Sequence, residues 1–290
     1  FKKKKLLNFF QNNFFFEKQI YYDFFKSNGI KFFFSSYVTQ PFTSSAISAI
    51  HNLKGKSVGS TGSFSERYSS HHNIDAFDYF ISFNNCKYKF SQFSNLKKIE
   101  YLGYISDYKF VQKRDEAIEL RDSLKKNGAK YIIGFFDQGS SDDEMFQIGH
   151  NVSKLGYKFL LEKIIKDNNF ALIIKPKKPK LLKKKLGNIY NLLIKAKETN
   201  RCIVFENFAQ NHVKNFEDIP AKIAMASDLT IHDTLLAGTA GLESALVGTK
   251  SVFFDYYKSI NNQFEERGLN IVFRNWNSLW KEIEKDYNKK

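Results

Sequence analysis

The stretch Ala226–Asp255, ASDLTIHDTLLAGTAGLESALVGTKSVFFD, decides the fold. Leu229, Thr230 and Ile231 form a short apolar run that stops at His232 and Asp233, and a second run, Ser251 to Phe254, stops at Asp255. Runs of this length bounded by polar residues read as strands. Between them Gly238, Thr239, Ala240 and Gly241 predict a small-residue turn that leads into a helix, and two parallel strands bracketing one helix are the natural reading. Small residues keep side chains out of the way, so the free N–H groups and positive end of the helix can approach an anion, phosphate being the expected one. Glu243 follows the turn, too early in the helix to be core. Its carboxylate either accepts hydrogen bonds from a ribose diol or complements the helix dipole as a first-turn acid.

The same alternation extends outward in both directions. Upstream, YIIGFFD (Tyr131–Asp137) reads as a strand, followed by a polar loop, a helix from Val152 to Asp167 and a strand from Phe170 to Lys175. A helix from Leu182 to Lys197, a strand from Cys202 to Glu206 and a short helix from Pro220 follow; Ile271–Phe273 and a closing helix lie downstream. The first third predicts a helix over Asn8–Lys26 closed by Gly29, a strand over Ile30–Ser35, a helix over Ser44–Leu53 and a strand over Ser57–Ser60. A Gly/Ser-rich loop then runs through His72, before strands over Phe77–Phe83 and Ile99–Ile105. A charged passage, residues 106–129, with an amphipathic helix from Asp115 to Lys126, separates the halves and places the boundary at about residue 110. Short buried strands alternating with longer helices predict an α/β fold of two parallel-sheet, Rossmann-like domains, 1–110 and 111–290, with a ligand cleft at the carboxyl ends of the strands.

Composition bounds the rest. With 290 residues, 42% of them hydrophobic and 17% aromatic, the chain has material for real cores. No apolar run approaches the roughly 18 residues that cross a bilayer, and FKKKKLLNFF is too short and aromatic for a secretory signal. A cytoplasmic location is expected. The sequence starts at Phe1, not methionine, so the first domain is read as open to truncation. Cys86 and Cys202 lie far apart with no metal-site spacing around them, so neither a disulfide framework nor a metal site is expected. The net charge of +15 accompanies a general excess of Lys, Asn, Phe, Ile and Tyr and is weak grounds for a nucleic-acid partner. It is spread along the chain: residues 1–110 hold 15 lysines and arginines against 7 acids, leaving +8. Such a surface still favours anionic ligands or peripheral contact with an acidic membrane face.

Three motifs in order, YIIGFFDQG, IIKPKK and the 226–255 stretch, resemble the C-terminal half of bacterial surface-polysaccharide (capsular) glycosyltransferases of the GT-B fold. More faintly, AISAIHNLKGKSVGSTGS, FDYFISFNN and YLGYISD resemble closing elements of that family's acceptor domain. The resemblance implies two Rossmann-like domains facing a cleft, a nucleotide-sugar donor held by the C-terminal domain, and a polysaccharide or lipid-linked acceptor held by the N-terminal one. It implies no metal and no cofactor, the nucleotide sugar being a substrate.

Residues take roles on that basis. Asp137, Gln138, Gly139 and Ser140 follow the first strand of the second domain, where backbone N–H groups can meet a phosphate or simply form a βα loop. Lys175 ends FALIIK and can neutralise pyrophosphate as the nucleotide departs. Seven lysines lie between Lys175 and Lys185, more than one diphosphate can use, so those from Lys177 onward read as a solvated face. His232 and Asp233 contact base, ribose or phosphate, or His232 is structural. Gly238, Thr239, Ala240, Gly241 and Glu243 complete the donor set. The acceptor hydroxyl must lose its proton as it attacks, and the candidates for that base in the first domain are His71, His72 and Glu66, with Arg67 beside them, all in the polar loop. Asp75 and Asp78 cap the start of the strand FDYFIS.

A non-hydrolysing sugar-nucleotide 2-epimerase shares the architecture, but Leu242-Glu243-Ser244 supplies one acid where that family pairs two. A polyol-phosphate (CDP-glycerol-type) transferase would use the same pyrophosphate site, with His232 more prominent. A basic nucleic-acid-binding module ranks last, because the aromatics follow strand and helix patterns and not a stacking platform.

Overall fold

A computed structural model of the chain describes residues 2–36, 40–61, 74–83, 94–137, 140–141, 148–205, 219–235, 238–258 and 263–289. The chain forms two compact units, Phe1–Ile105 and Ser106–Lys290. Both are α/β with parallel sheets.

The first unit runs α1 (Lys2–Ser27), β1 (Phe32–Ser35), α2 (Pro41–Asn52), β2 (Lys56–Ser60), β3 (Tyr79–Ser82) and β4 (Lys98–Tyr101). The four strands lie in the order β1-β2-β3-β4, every pair parallel. α2 begins three residues before the predicted serine because Pro41, which has no N–H to leave unsatisfied and a pre-set φ, occupies the first turn. β1, β3 and β4 are shorter than the apolar runs that announced them, β4 ending at Tyr101 and not at Ile105, whereas β2 starts one residue earlier than its run. Alternation turns Phe33 inward, against Phe25 at 5.9 Å between ring centres, and leaves Phe32 and Phe34 on the exposed side of β1. Ile47, Ile74, Phe77 and Phe80 form one core cluster, and Phe25, Ala46, Ala49 and Ile50 another.

Asp78 is more than the strand cap that the sequence suggested. Its carboxylate is buried at the amino ends of β2 and β3, where it accepts from the Ser57 backbone N–H (2.9 Å) and meets His51 Nε2 (2.9 Å) and Lys97 Nζ (3.1 Å). Burial alone would raise its pKa, but the Ser57 N–H, Lys97 and His51 outweigh that and hold it at about 2. The cluster ties α2, β2 and β3 together at the end of the sheet away from the strands' carboxyl termini, so it is a structural clamp.

The second unit contains α3 (Tyr108–Gln112), α4 (Arg114–Lys126), β5 (Tyr131–Asp137), β6 (Ser140–Ser141), β7 (Ile148–Gly149), α5 (His150–Lys166), β8 (Phe170–Pro176), α6 (Leu182–Leu186), α7 (Tyr190–Glu198), β9 (Cys202–Val204), α8 (Pro220–Ala226), β10 (Leu229–His232), α9 (Gly238–Leu246), β11 (Lys250–Phe254), α10 (Gln263–Glu266), β12 (Val272–Phe273) and α11 (Trp276–Tyr287). The main sheet is β12-β11-β10-β5-β8-β9, all parallel. Counted along the chain, that is 6-5-4-1-2-3, the doubly wound order in which the direction of winding reverses between the first and fourth strands. All seven residues of β5 are buried, which explains its unbroken apolar run. Its side chains alternate between layers: Tyr131, Ile133 and Phe135 join Tyr157, Leu160 and Ile164 of α5, while Ile132 and Phe136 join Leu124 of α4 and Ile223 of α8.

Two predicted elements of this unit change. The single helix expected over Leu182–Lys197 is two, α6 and α7, because Gly187 sits at φ 53°, ψ −120°, a conformation that stops an α-helix and that glycine tolerates best. The strand expected to reach Glu206 ends at Val204. Among the described residues no helix is long and apolar enough to cross a membrane.

Candidate functional site

β5 and β10 are neighbours in the sheet and diverge at its switch point: β5 leads to α5 and β10 leads to α9. Brought together at their carboxyl ends are Asp137, His232 and Asp233, all buried. One turn of α5 serves both strand ends, since Ser153 and Tyr157 are four residues apart and share a face. Tyr157 donates its hydroxyl to Asp137 Oδ2 at 2.7 Å, and Ser153 donates to Asp233 Oδ2 at 3.3 Å. Burial first, and then the Asp137 charge, raise the Tyr157 pKa well above its usual value, so the phenol stays a donor.

Lys185 brings a cation to Asp137, its Nζ lying 2.7 Å from Oδ2. Lys185 is 4% exposed, which corrects its assignment to a solvated lysine face. Its position has a legible signal after all: Leu182, Lys185 and Leu186 are the buried residues of α6 and repeat with helical spacing. An acid held at a buried strand end draws a cation into that stripe, because an unpaired buried charge is costly.

His232 is fully enclosed. Its ring stacks between Phe136 (5.0 Å, 5° between planes) and Phe253 (4.9 Å, 28°). Nε2 meets Ser251 Oγ at 2.8 Å, and Nδ1 has no hydrogen-bond partner among the described residues. Burial pulls the pKa down to about 3, so the imidazole is neutral at physiological pH and brings no positive charge to a phosphate.

The segment Gly238–Gly241, expected as a turn, is already the first turn of α9. Glu243 therefore lies in the second turn, and it is buried, contrary to the expectation that it stands too early to be core. Its Oε2 accepts the backbone N–H of Ala221 at 2.8 Å. Ala221 follows Pro220 in the first turn of α8, so Glu243 caps a neighbouring helix, a third arrangement beside the two read from sequence. Gly238, Thr239 and Ala240 are half-buried, and Gly241 is buried.

Lys175, half-buried, occupies the last turn of the pleat in β8, opposite Phe136 of β5, with Pro176 opposite Asp137. Ser140 is buried, and its hydroxyl lies 2.6 Å from His150 Nδ1 at the start of α5. Gln138, Gly139, Glu66, Arg67, His71 and His72 lie outside the described residues.

No protein-family profile matches the chain, and no curated protein matches it. Among solved structures, the crystal structure of α,α-trehalose 6-phosphate synthase from Burkholderia multivorans is similar over 77% of this chain at 9% identity, with a TM-score of 0.43. The match covers 56% of that protein, so this chain spans little more than half its length.

The residues that sequence reasoning missed are the supports of the site: Ser153, Tyr157 and Lys185. What the arrangement offers a ligand is the carboxyl edge of a doubly wound sheet with rigidly held acids, a half-buried lysine on the adjacent strand, and the start of α9, whose first turn is made of small residues.

Proposed function

We propose that the chain is a GT-B-type glycosyltransferase that moves a sugar from a nucleotide-sugar donor to a growing surface polysaccharide or glycolipid, independently of metal. The observation that carries this reading is the 6-5-4-1-2-3 parallel sheet with Asp137, His232 and Asp233 at its switch point, where doubly wound sheets take nucleotides. The resemblance of the 226–255 stretch to polysaccharide glycosyltransferases adds the reaction class.

In this reading the donor's pyrophosphate lies at the first turn of α9, where the N–H groups of Gly238 to Ala240 meet phosphate oxygens. Lys175 neutralises charge as the bond between the anomeric carbon and phosphate breaks. The acceptor hydroxyl forms the new bond to that carbon and gives its proton to a base among His71, His72 and Glu66. The nucleoside diphosphate leaves. Glu243 fixes the relative position of α9 and α8 through Ala221, and in this reading its carboxylate is also the acceptor for the ribose hydroxyls.

Calorimetric titration of the purified chain with UDP, CMP, CDP, GDP, ADP and dTDP, with and without EDTA, tests the reading. One nucleotide is expected to bind, unaffected by EDTA, and to weaken at least tenfold, about 1.4 kcal/mol, in Lys175→Ala. Absence of any nucleotide binding, or unchanged affinity in both Lys175→Ala and Glu243→Ala, overturns it; tight binding of random RNA at physiological salt moves the protein to a different class.

A further inference from the structure

Helix α1 carries two apolar faces, and the unit uses one. Tyr21, Tyr22 and Phe25 rest on Ala46, Ala49 and Ile50 of α2, and Ser45 Oγ donates to Glu17 at 3.0 Å. The other face holds Leu6, Phe9, Phe10, Phe16, Ile20 and Phe24, spaced three or four apart except where Asn13 interrupts, and all six are more than half exposed. Toward the amino end no described residue covers the helix, and every residue from 4 to 13 is exposed. Propagating the helix from its anchored half costs little, but leaving these large apolar side chains in water is unfavourable, so the stripe calls for a surface that buries it.

Charge identifies the surface. Lys2 to Lys5 precede the stripe, and no acidic residue occurs before Glu17. A second copy of this chain, itself carrying a net charge of +15, is a poorer match for those lysines than an anionic surface. A layer of anionic lipid supplies both an apolar boundary for the phenylalanines and negative headgroups for the lysines. We infer that α1 docks in the plane of an anionic membrane surface, with Leu6, Phe9, Phe10 and Phe16 entering the headgroup boundary. The inference rests on α1 alone and is independent of the proposed enzymatic activity.

The test is co-sedimentation of the full chain with vesicles of phosphatidylcholine, pure or carrying roughly a quarter phosphatidylglycerol, at about 0.1 M salt. Pelleting with the anionic vesicles and not with the neutral ones is expected. The variant Phe9→Ser/Phe10→Ser/Phe16→Ser should lose partitioning at least tenfold, and Lys4→Gln and Lys5→Gln about fivefold each, on the order of 1 kcal/mol per lysine. Among the described residues these side chains belong to none of the core clusters of the unit, so an unchanged thermal melt shows that each variant is folded. Equal pelleting with neutral vesicles, or full binding by the triple variant, overturns the inference. So does a dimer on size-exclusion chromatography that the triple variant abolishes while the wild-type chain ignores vesicles, which assigns the face to a second copy.

Discussion

His232 shows how a residue's chemistry follows from its enclosure. The sequence placed it at a strand end where it could touch a ligand; the structure stacks it between two phenylalanines and keeps it neutral. Its folded pKa of about 3 lies below the value near 6.5 of an unfolded histidine. Between those values the unfolded chain binds a proton that the folded chain does not, so the contribution is complete above about pH 6.5 and is lost as pH falls toward 3. Urea titrations at successive pH values should show stability falling by up to about 1.4 kcal/mol per unit across that window, and His232→Phe should flatten the slope. Lys185 gives a second prediction at this scale. Replacing it with methionine removes a buried ammonium from the Asp137 carboxylate and should cost about 3–5 kcal/mol in urea unfolding. The double variant with Asp137→Asn should regain part of that loss, because the charge that needed compensation is gone.

At the scale of elements, close approach decides what the small residues in 238–241 are for. A Cβ built on Gly241 would stand 2.5 Å from the Phe253 ring, and that ring is itself held between His232 and Phe264, 4.6 Å away. Gly241→Ala gains about 1 kcal/mol of helix propensity and meets an overpacking cost of about 1–3 kcal/mol. Since the ring cannot swing aside, the clash should win and lower the melting temperature; adding Phe253→Leu should restore it. In the first unit, the Asp78 clamp sets an acid limit. Its depressed pKa contributes stability above about pH 4 that is lost as pH falls through about 2. With Lys97 half exposed and the pairing screened by solvent, the contribution is about 1–2 kcal/mol. Asp78→Asn should remove it, measured as a shallower loss of stability below pH 4.

Across the whole molecule, burial is unequal. β5 is buried along its whole length and β10 at all four positions, whereas β1 and β4 each expose much of their length. Local opening should therefore be easier in the first unit, and hydrogen exchange should protect β5, β8 and β10 longer than β1 to β4; equal protection would contradict this. The sequence by itself determined the alternation of strands and helices, the span of YIIGFFD as β5, and the strand–helix–strand of 226–255, because period and length of apolar runs report how many faces of an element meet the core. It also singled out Asp137 and Glu243 as acids at informative positions. Only the tertiary structure decided what those acids touch. Lys185 reaches Asp137 across 48 positions and Ala221 gives its N–H to Glu243 across 22, and pairings of that range arise from the order in which strands assemble, which local pattern does not encode. The exposed stripe of α1 shows the same division: its apolar spacing is written in the sequence, but which of its two faces α2 covers follows from packing alone.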